Sequence, residues 1–255
     1  MSYGIWLSAG GMQVNEYRQS VIANNIANAD TVGFKRDFPI VRERPVESDV
    51  AAGGSALTAD WLSHMTGGVW SRPTYTSFAQ GELEQTGRSL DTALAGEGFF
   101  TVDVDGKKLY TRDGRFTINS DHELVLTAGD GTARVLDETG KPIVVEQSRL
   151  PLTIEEDGAV LQGKNTVARL GIVDFADESL LRKTGASLVE DLGSQATIPA
   201  KSLVKSGSVE RSTVDPIESL TGMIEVTRAY EMNARMISIQ DAATGEAVSR
   251  VGRIG

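Results

Sequence analysis

A chain of 255 residues with a formal net charge of −10 and no cysteine leaves out several function classes at once. Without thiols there is no disulfide scaffold, thiolate zinc site or cysteine nucleophile. The negative balance, with no cluster of Lys and Arg, argues against nucleic acid and against an anionic bilayer surface, because phosphate binding rewards concentrated positive charge.

The remaining composition, 40% hydrophobic and 24% charged, is that of an ordinary globular chain with ample core. No apolar run approaches the roughly 20 residues that span a bilayer, so no membrane insertion is expected. The N-terminus lacks the positive start and continuous apolar core of a cleavable signal peptide. Work outside the cytoplasm would require another export route.

Residues 1–36 open the chain with a predicted helix. Leu7, Gly10, Val14, Tyr17, Val21, Asn24 and Asn28 recur at steps of three and four, and Ile5, Ala9, Met12, Ala23 and Ile26 widen the stripe. Gly10, Gly11 and the asparagines each cost up to about 1 kcal/mol relative to alanine in a helix. Such a helix becomes firm only when packed. Its stop is placed at Thr31-Val32-Gly33, with Gly33 free to take the left-handed conformation. Asn24, Asn25 and Asn28 read either as register-fixing groups between packed helices or as polar helix-end residues. Phe34 reads either as a docking knob on a neighbouring subunit or as an anchor holding the connector to its own helix.

Residues 37–80 form a weakly periodic connector, loosest at residues 51–55 and 66–68. From 81 to 211 the period changes to two, which predicts an antiparallel β domain. Residues 99–104, 108–111, 115–118, 123–126, 142–146 and 167–175 read as strands, and Asp105-Gly106, Asp113-Gly114, Asp130-Gly131 and Asp157-Gly158 as tight turns. Asp103 and Asp105 could form a carboxylate pair, but the following Gly106 favours a hairpin turn. Gly96-Glu97-Gly98 lacks the third glycine and the helix of a phosphate loop. His64 and His122 stand far apart without clustered partners, so neither metal nor cofactor is expected. Arg112, Asp113 and Arg115 are candidates for ion pairing across subunits.

Residues 212–255 supply the second long helix. Asp215 at the N-cap, Pro216 at the first position and Glu218 at the third are three agreeing start signals. Leu220, Met223, Thr227, Tyr230, Ala234, Ile237, Asp241, Thr244, Val248 and Val251 form the seam, over a length of about 55 Å. Stripes this broad at both ends must meet each other or other subunits. The expected fold is mixed α and β: discontinuous N- and C-terminal helices packed as a coiled-coil stem, with a central antiparallel all-β domain.

Three stretches resemble the flagellar rod and hook protein family. Ala23-Asn24-Asn25-Ile26-Ala27-Asn28, followed by Thr31, Gly33-Phe34 and Lys35-Arg36, resembles its N-terminal signature. Leu90 to Phe100, with Tyr110-Thr111-Arg112-Asp113-Gly114-Arg115-Phe116, resembles the start of its β domain. Met223 to Asn233 resembles its C-terminal helix. The length and single β domain are similar to the rod proteins of the FlgF and FlgG type rather than to the longer hook protein. Pro45-Val46-Glu47 and residues 167–175 lean towards the proximal-rod type, FlgF; the distal-rod type, FlgG, stays open. The resemblance implies a non-catalytic structural subunit whose partners are copies of itself and other rod and hook proteins. It also implies type III export without signal cleavage and a place in the basal body. A glycan-cleaving enzyme and a coiled-coil adhesin are the rival classes.

Overall fold

The computed structural model describes residues 2–43, 68–128, 132–146, 150–185, 187–200 and 202–252. The connector's loose points at 51–55 and 66–67, the Pro45-Val46-Glu47 stretch, His64 and the Asp130-Gly131 turn lie outside those residues. The fold is mixed α and β, with an N-terminal helix α1 (Ser2–Ala27), a C-terminal helix α2 (Pro216–Val251) and a β-rich region between them. The chain divides into two compact units, one of Met1–Ile26, Asp37–Tyr75 and Pro216–Gly255, the other of Ala27–Arg36 and Thr76–Asp215.

In the helical unit α1 and α2 run antiparallel: Gly4 lies against Gln240, Gly11 against Asn233 and Ile22 against Gly222. Glu218 in the first turn of α2 and Arg250 in its last complement the helix dipole. The strand Asp37–Glu43 pairs with Val69–Thr76 as a two-stranded ribbon. Asn25 ties the ribbon to α1. Its side-chain amide donates to the Asp37 carbonyl at 2.8 Å and its oxygen accepts from the Asp37 N–H at 3.0 Å.

α1 ends before the predicted stop. The Asn28 carbonyl accepts the Thr31 N–H at 3.1 Å, and its side-chain oxygen accepts the Thr31 hydroxyl at 3.2 Å. Local bonds of this kind compete with helical ones and turn the chain at Asn28.

The β unit is built on a large antiparallel sheet. Its strands run, edge to edge, Leu181–Lys183, Leu188–Asp191, Lys107–Thr111, Phe99–Val104, Arg134–Val135, Leu124–Leu126 and Phe116–Ile118. Ile172–Asp174 also pairs with Phe99 and Phe100, and Ile198–Pro199 pairs with Ile172–Asp174. A three-stranded sheet joins Leu152–Ile154, Ala159–Gln162 and Asn165–Arg169. Two short pairs, Thr92–Ala95 with Leu203–Ser206 and Leu83–Gln85 with Ser208–Glu210, complete the unit.

Both faces of the central strand are covered. Successive side chains on a strand point to opposite sides. Phe100 and Val102 enter one core with Leu124, Leu126, Val135, Ile143 and Val160. Phe99 enters a second core with Phe78, Tyr110, Phe175, Leu181 and Val189. There the rings of Phe78 and Phe99 meet edge-to-face at 5.5 Å, and those of Tyr110 and Phe175 at 4.7 Å, a favoured aromatic arrangement.

Asp105-Gly106 is a hairpin turn, with φ of 53° and 78° between strands Phe99–Val104 and Lys107–Thr111, as a primed two-residue turn requires. Asp103 forms an ion pair with Arg134. Asp113-Gly114 is a correction, because the strands on either side of it do not pair with each other. Gly114 instead lies against another chain segment. Its carbonyl accepts the Thr92 N–H at 2.9 Å, and a Cβ there would fall 1.7 Å from the Thr92 carbonyl oxygen. The predicted strand at 142–146 forms only isolated bridges at Pro142 and Val144. The one at 167–175 breaks where Gly171 presses on the backbone of Asp137.

Gly114→Ala is expected to destabilise the β unit by more than about 1–3 kcal/mol, the cost of overpacking a rigid site. Urea unfolding followed by far-UV dichroism checks it, and an unchanged midpoint would contradict the close approach.

Candidate assembly site

Residues 31–36, placed with the first helix by the sequence, are built into the β unit. The Gly33 N–H donates to the Glu210 carbonyl at 2.8 Å, the Thr213 N–H donates to the Phe34 carbonyl at 3.1 Å, and the Arg36 N–H donates to the Thr213 hydroxyl at 2.9 Å. The segment thus lies along residues 210–213 much as an added strand would. Gly33 has φ +70°, and a Cβ there would come within 2.5 Å of the Asp113 nitrogen. Conformation and space both demand glycine.

Phe34 is 1% exposed, and the Lys183 ammonium sits 3.5 Å from its ring centre, a cation–π contact. Lys183 also donates to the Lys35 carbonyl at 2.8 Å. The docking-knob reading of Phe34 is therefore corrected: the ring is spent inside its own chain.

Next to it lies a buried ion triad. Glu210 Oε1 accepts from the Lys35 ammonium at 2.5 Å and from the Gly81 N–H at 2.7 Å, while Oε2 accepts from Arg112 at 3.3 Å. Lys35 also donates to the Ala79 carbonyl at 2.6 Å, and Arg112 to the Gly96 carbonyl at 2.9 Å. Burial pulls both cations below their ordinary pKa values, against the opposing pull of Glu210. The Arg112 guanidinium remains charged. Nothing local in the sequence marks Glu210, which stands 175 positions from Lys35.

The proposed pairing of Arg112, Asp113 and Arg115 across subunits is also corrected. Arg112 belongs to the triad, and the Arg115 guanidinium grips the buried Asp113 carboxylate at 3.0 and 2.8 Å within the chain.

The helix stripes divide differently from the sequence reading. Val14 and Val21 are buried, but so are Ser8, Asn15 and Asn25 on α1, and Ser219 and Val226 on α2. The covered line runs one residue away from Leu7, Asn24, Leu220 and Val248, all of which are exposed. Tyr17, Asn28, Met223, Thr227, Tyr230, Ala234 and Ile237 are half-buried. The side chain of Val251 lies outside the described residues.

This offset leaves large apolar groups in solvent. Trp6 is 76% and Ile217 79% exposed, and Leu220, Ile224, Met232, Met236 and Ile239 continue outward along α2. Large apolar side chains left in solvent in this number suit an interaction face. The β unit thus holds a buried clasp, and the helical unit, by itself, leaves apolar helix faces exposed.

Glu210→Gln leaves two cations buried without their anion, and breaking such a group costs about 3–5 kcal/mol. A matching fall in unfolding free energy is expected by chemical denaturation; a loss below about 1 kcal/mol would show the triad to be dispensable.

Three family models match the chain: "Flagella basal body rod protein" over residues 7–35, "Flagellar hook protein FlgE/F/G D1 domain" over 93–162, and "Flagellar basal body rod FlgEFG protein C-terminal" over 205–249. The flagellar basal-body rod protein FlgF of Caulobacter vibrioides is 36% identical over 235 residues, covering 92% of this chain and 91% of the relative. FlgG of Bacillus subtilis is 31% identical over 271 residues, covering 98% and 99%. FlgG of Buchnera aphidicola subsp. Schizaphis graminum is 31% identical over 254 residues, covering 93% and 95%. The first model ends at the clasp residue Lys35 and the last spans both Glu210 and most of α2. Buried clasp, outward helix faces and full-length similarity agree: the chain belongs to the flagellar basal-body rod proteins of the FlgF and FlgG type.

Proposed function

We propose that this chain is a non-catalytic structural subunit of the bacterial flagellar rod that transmits torque through repeated subunit contacts. The exposed apolar faces of α1 and α2 carry this reading. Trp6 on α1 and Leu220, Ile224, Met232, Met236 and Ile239 on α2 are exposed, and both helices belong to one compact unit. In the assembly the helices would pack as a coiled-coil stem forming an inner layer, with the β domain outside. One surface of each subunit would meet a different surface of the next, and a rotation that does not close gives a helical polymer. Export through the flagellar type III apparatus without cleavage, and a periplasmic position, belong to the same reading.

Within the rod we favour the proximal, FlgF-like position. Expression in a strain lacking FlgF is expected to restore swimming, and expression in one lacking FlgG is not; the reverse pattern would assign the distal position.

Leu220→Glu with Ile224→Glu tests the helix face itself. Both side chains are exposed, so the isolated subunit should keep its stability within about 0.5 kcal/mol, as surface changes do. Motility and recovery of the subunit in purified basal bodies are expected to be lost. Normal incorporation of this variant would remove the outward face of α2 from the mechanism.

A further inference from the structure

The contact between α1 and α2 brings glycines of each helix against side chains of the other. Ser8 and Asn15 are buried on α1, and Ser219 and Val226 on α2. A Cβ built on Gly4 would come within 2.7 Å of the Gln240 amide, and one on Gly11 within 3.0 Å of the Asn233 amide. One heptad forward on α1, from Gly4 to Gly11, is matched by one heptad back on α2, from Gln240 to Asn233. Ile22 against Gly222 continues the same alignment. Two buried polar atoms of α2, Gln240 Oε1 and Ser219 Oγ, have no hydrogen-bond partner among the described residues.

A polar side chain at a helix seam weakens every alignment but weakens least the one that accommodates it, and so it selects register. Slipping the helices by one heptad separates the matched layers. In one direction Gln240 would oppose Gly11 and Asn233 would oppose Arg18. In the other, Asn233 would oppose Gly4, Val226 would oppose Gly11, and Gln240 would pass the end of α1. Only the observed alignment seats both amides over glycines, where no Cβ competes for their space.

We infer that Gln240 and Asn233 are positioning residues that set the register of α2 on α1, with Gly4 and Gly11 as their receptors. Each residue of slip moves the outward face of α2 along that of α1 by about 1.5 Å. Trp6 and Leu7 would then lose their fixed spacing from Leu220, Ile224 and Ile239. The need for one spacing rests on the assembly proposed above; the register itself belongs to a single chain and is measured there.

The test is a nitroxide–nitroxide distance in the full-length chain labelled at Glu16→Cys and Ser249→Cys. Both positions are exposed, and the chain has no native cysteine to compete. In the observed alignment the labels lie about 30 Å apart along the helix axes. A single narrow distribution is expected for the parent and for Asn233→Gln with Gln240→Asn, which keeps both amides. Asn233→Leu with Gln240→Leu should retain helical dichroism and gain a second population displaced by about 10 Å, one heptad. An unchanged single distance in the leucine variant overturns the inference, as does the lack of a defined distance in the parent. Should the leucine variant lose its helices, Gly11→Val serves instead: it removes one receptor and should broaden the distribution, and a narrow unaltered distance there overturns the inference. Loss of motility with register intact would count against the assembly alone.

Discussion

A carboxylate with no access to water organises the β unit. Glu210 holds Lys35 and Arg112 at once, and each of those cations reaches a further backbone carbonyl. An ion buried this deeply is tolerated only when its lone pairs are used. Five chain segments therefore have to arrive together: the one carrying Gly33 to Arg36, the Ala79-Gly81 stretch, Gly96, Arg112 just past strand Lys107–Thr111, and residues 208–213. Replacing such a group by hydrocarbon is often neutral in stability. Breaking it by removing one partner is costly, because the remaining charges stay buried without compensation.

The helical unit follows the opposite rule. Its inner seam sets glycine, serine and amide beside Ile22 and the buried Val226, and further large hydrocarbon side chains on both helices are exposed. Closing the pair on itself leaves those exposed side chains in water, and a further gain is available when they are covered. One polypeptide thus combines a unit that satisfies itself with another that is left incomplete, as a subunit of a polymer needs.

Much of this is legible in the residues, but not its detail. The two helices announce themselves by period and, for α2, by Asp215, Pro216 and Glu218. The strand at 99–104 and the turn at Asp105-Gly106 follow from alternation and from glycine's freedom at positive φ. Hydropathy places the seam one residue off, because it prefers Leu7 to Ser8 and Leu220 to Ser219. Glycine against amide carries no apolar signal. Asp113-Gly114 has the composition of a turn, yet its glycine answers to Thr92 across the unit. Glu210 is invisible for a similar reason: its significance depends on partners far along the chain, and only the fold brings them near. The short strands at 152–154, 159–162, 181–183, 188–191, 203–206 and 208–210 are too brief for their alternation to stand out.

The order in which the chain visits its two units has a mechanical corollary. It passes from one to the other between residues 26 and 27, back between 36 and 37, over again between 75 and 76, and returns between 215 and 216. A single break in the backbone at any one of these crossings would therefore leave the two units still joined covalently by the other three.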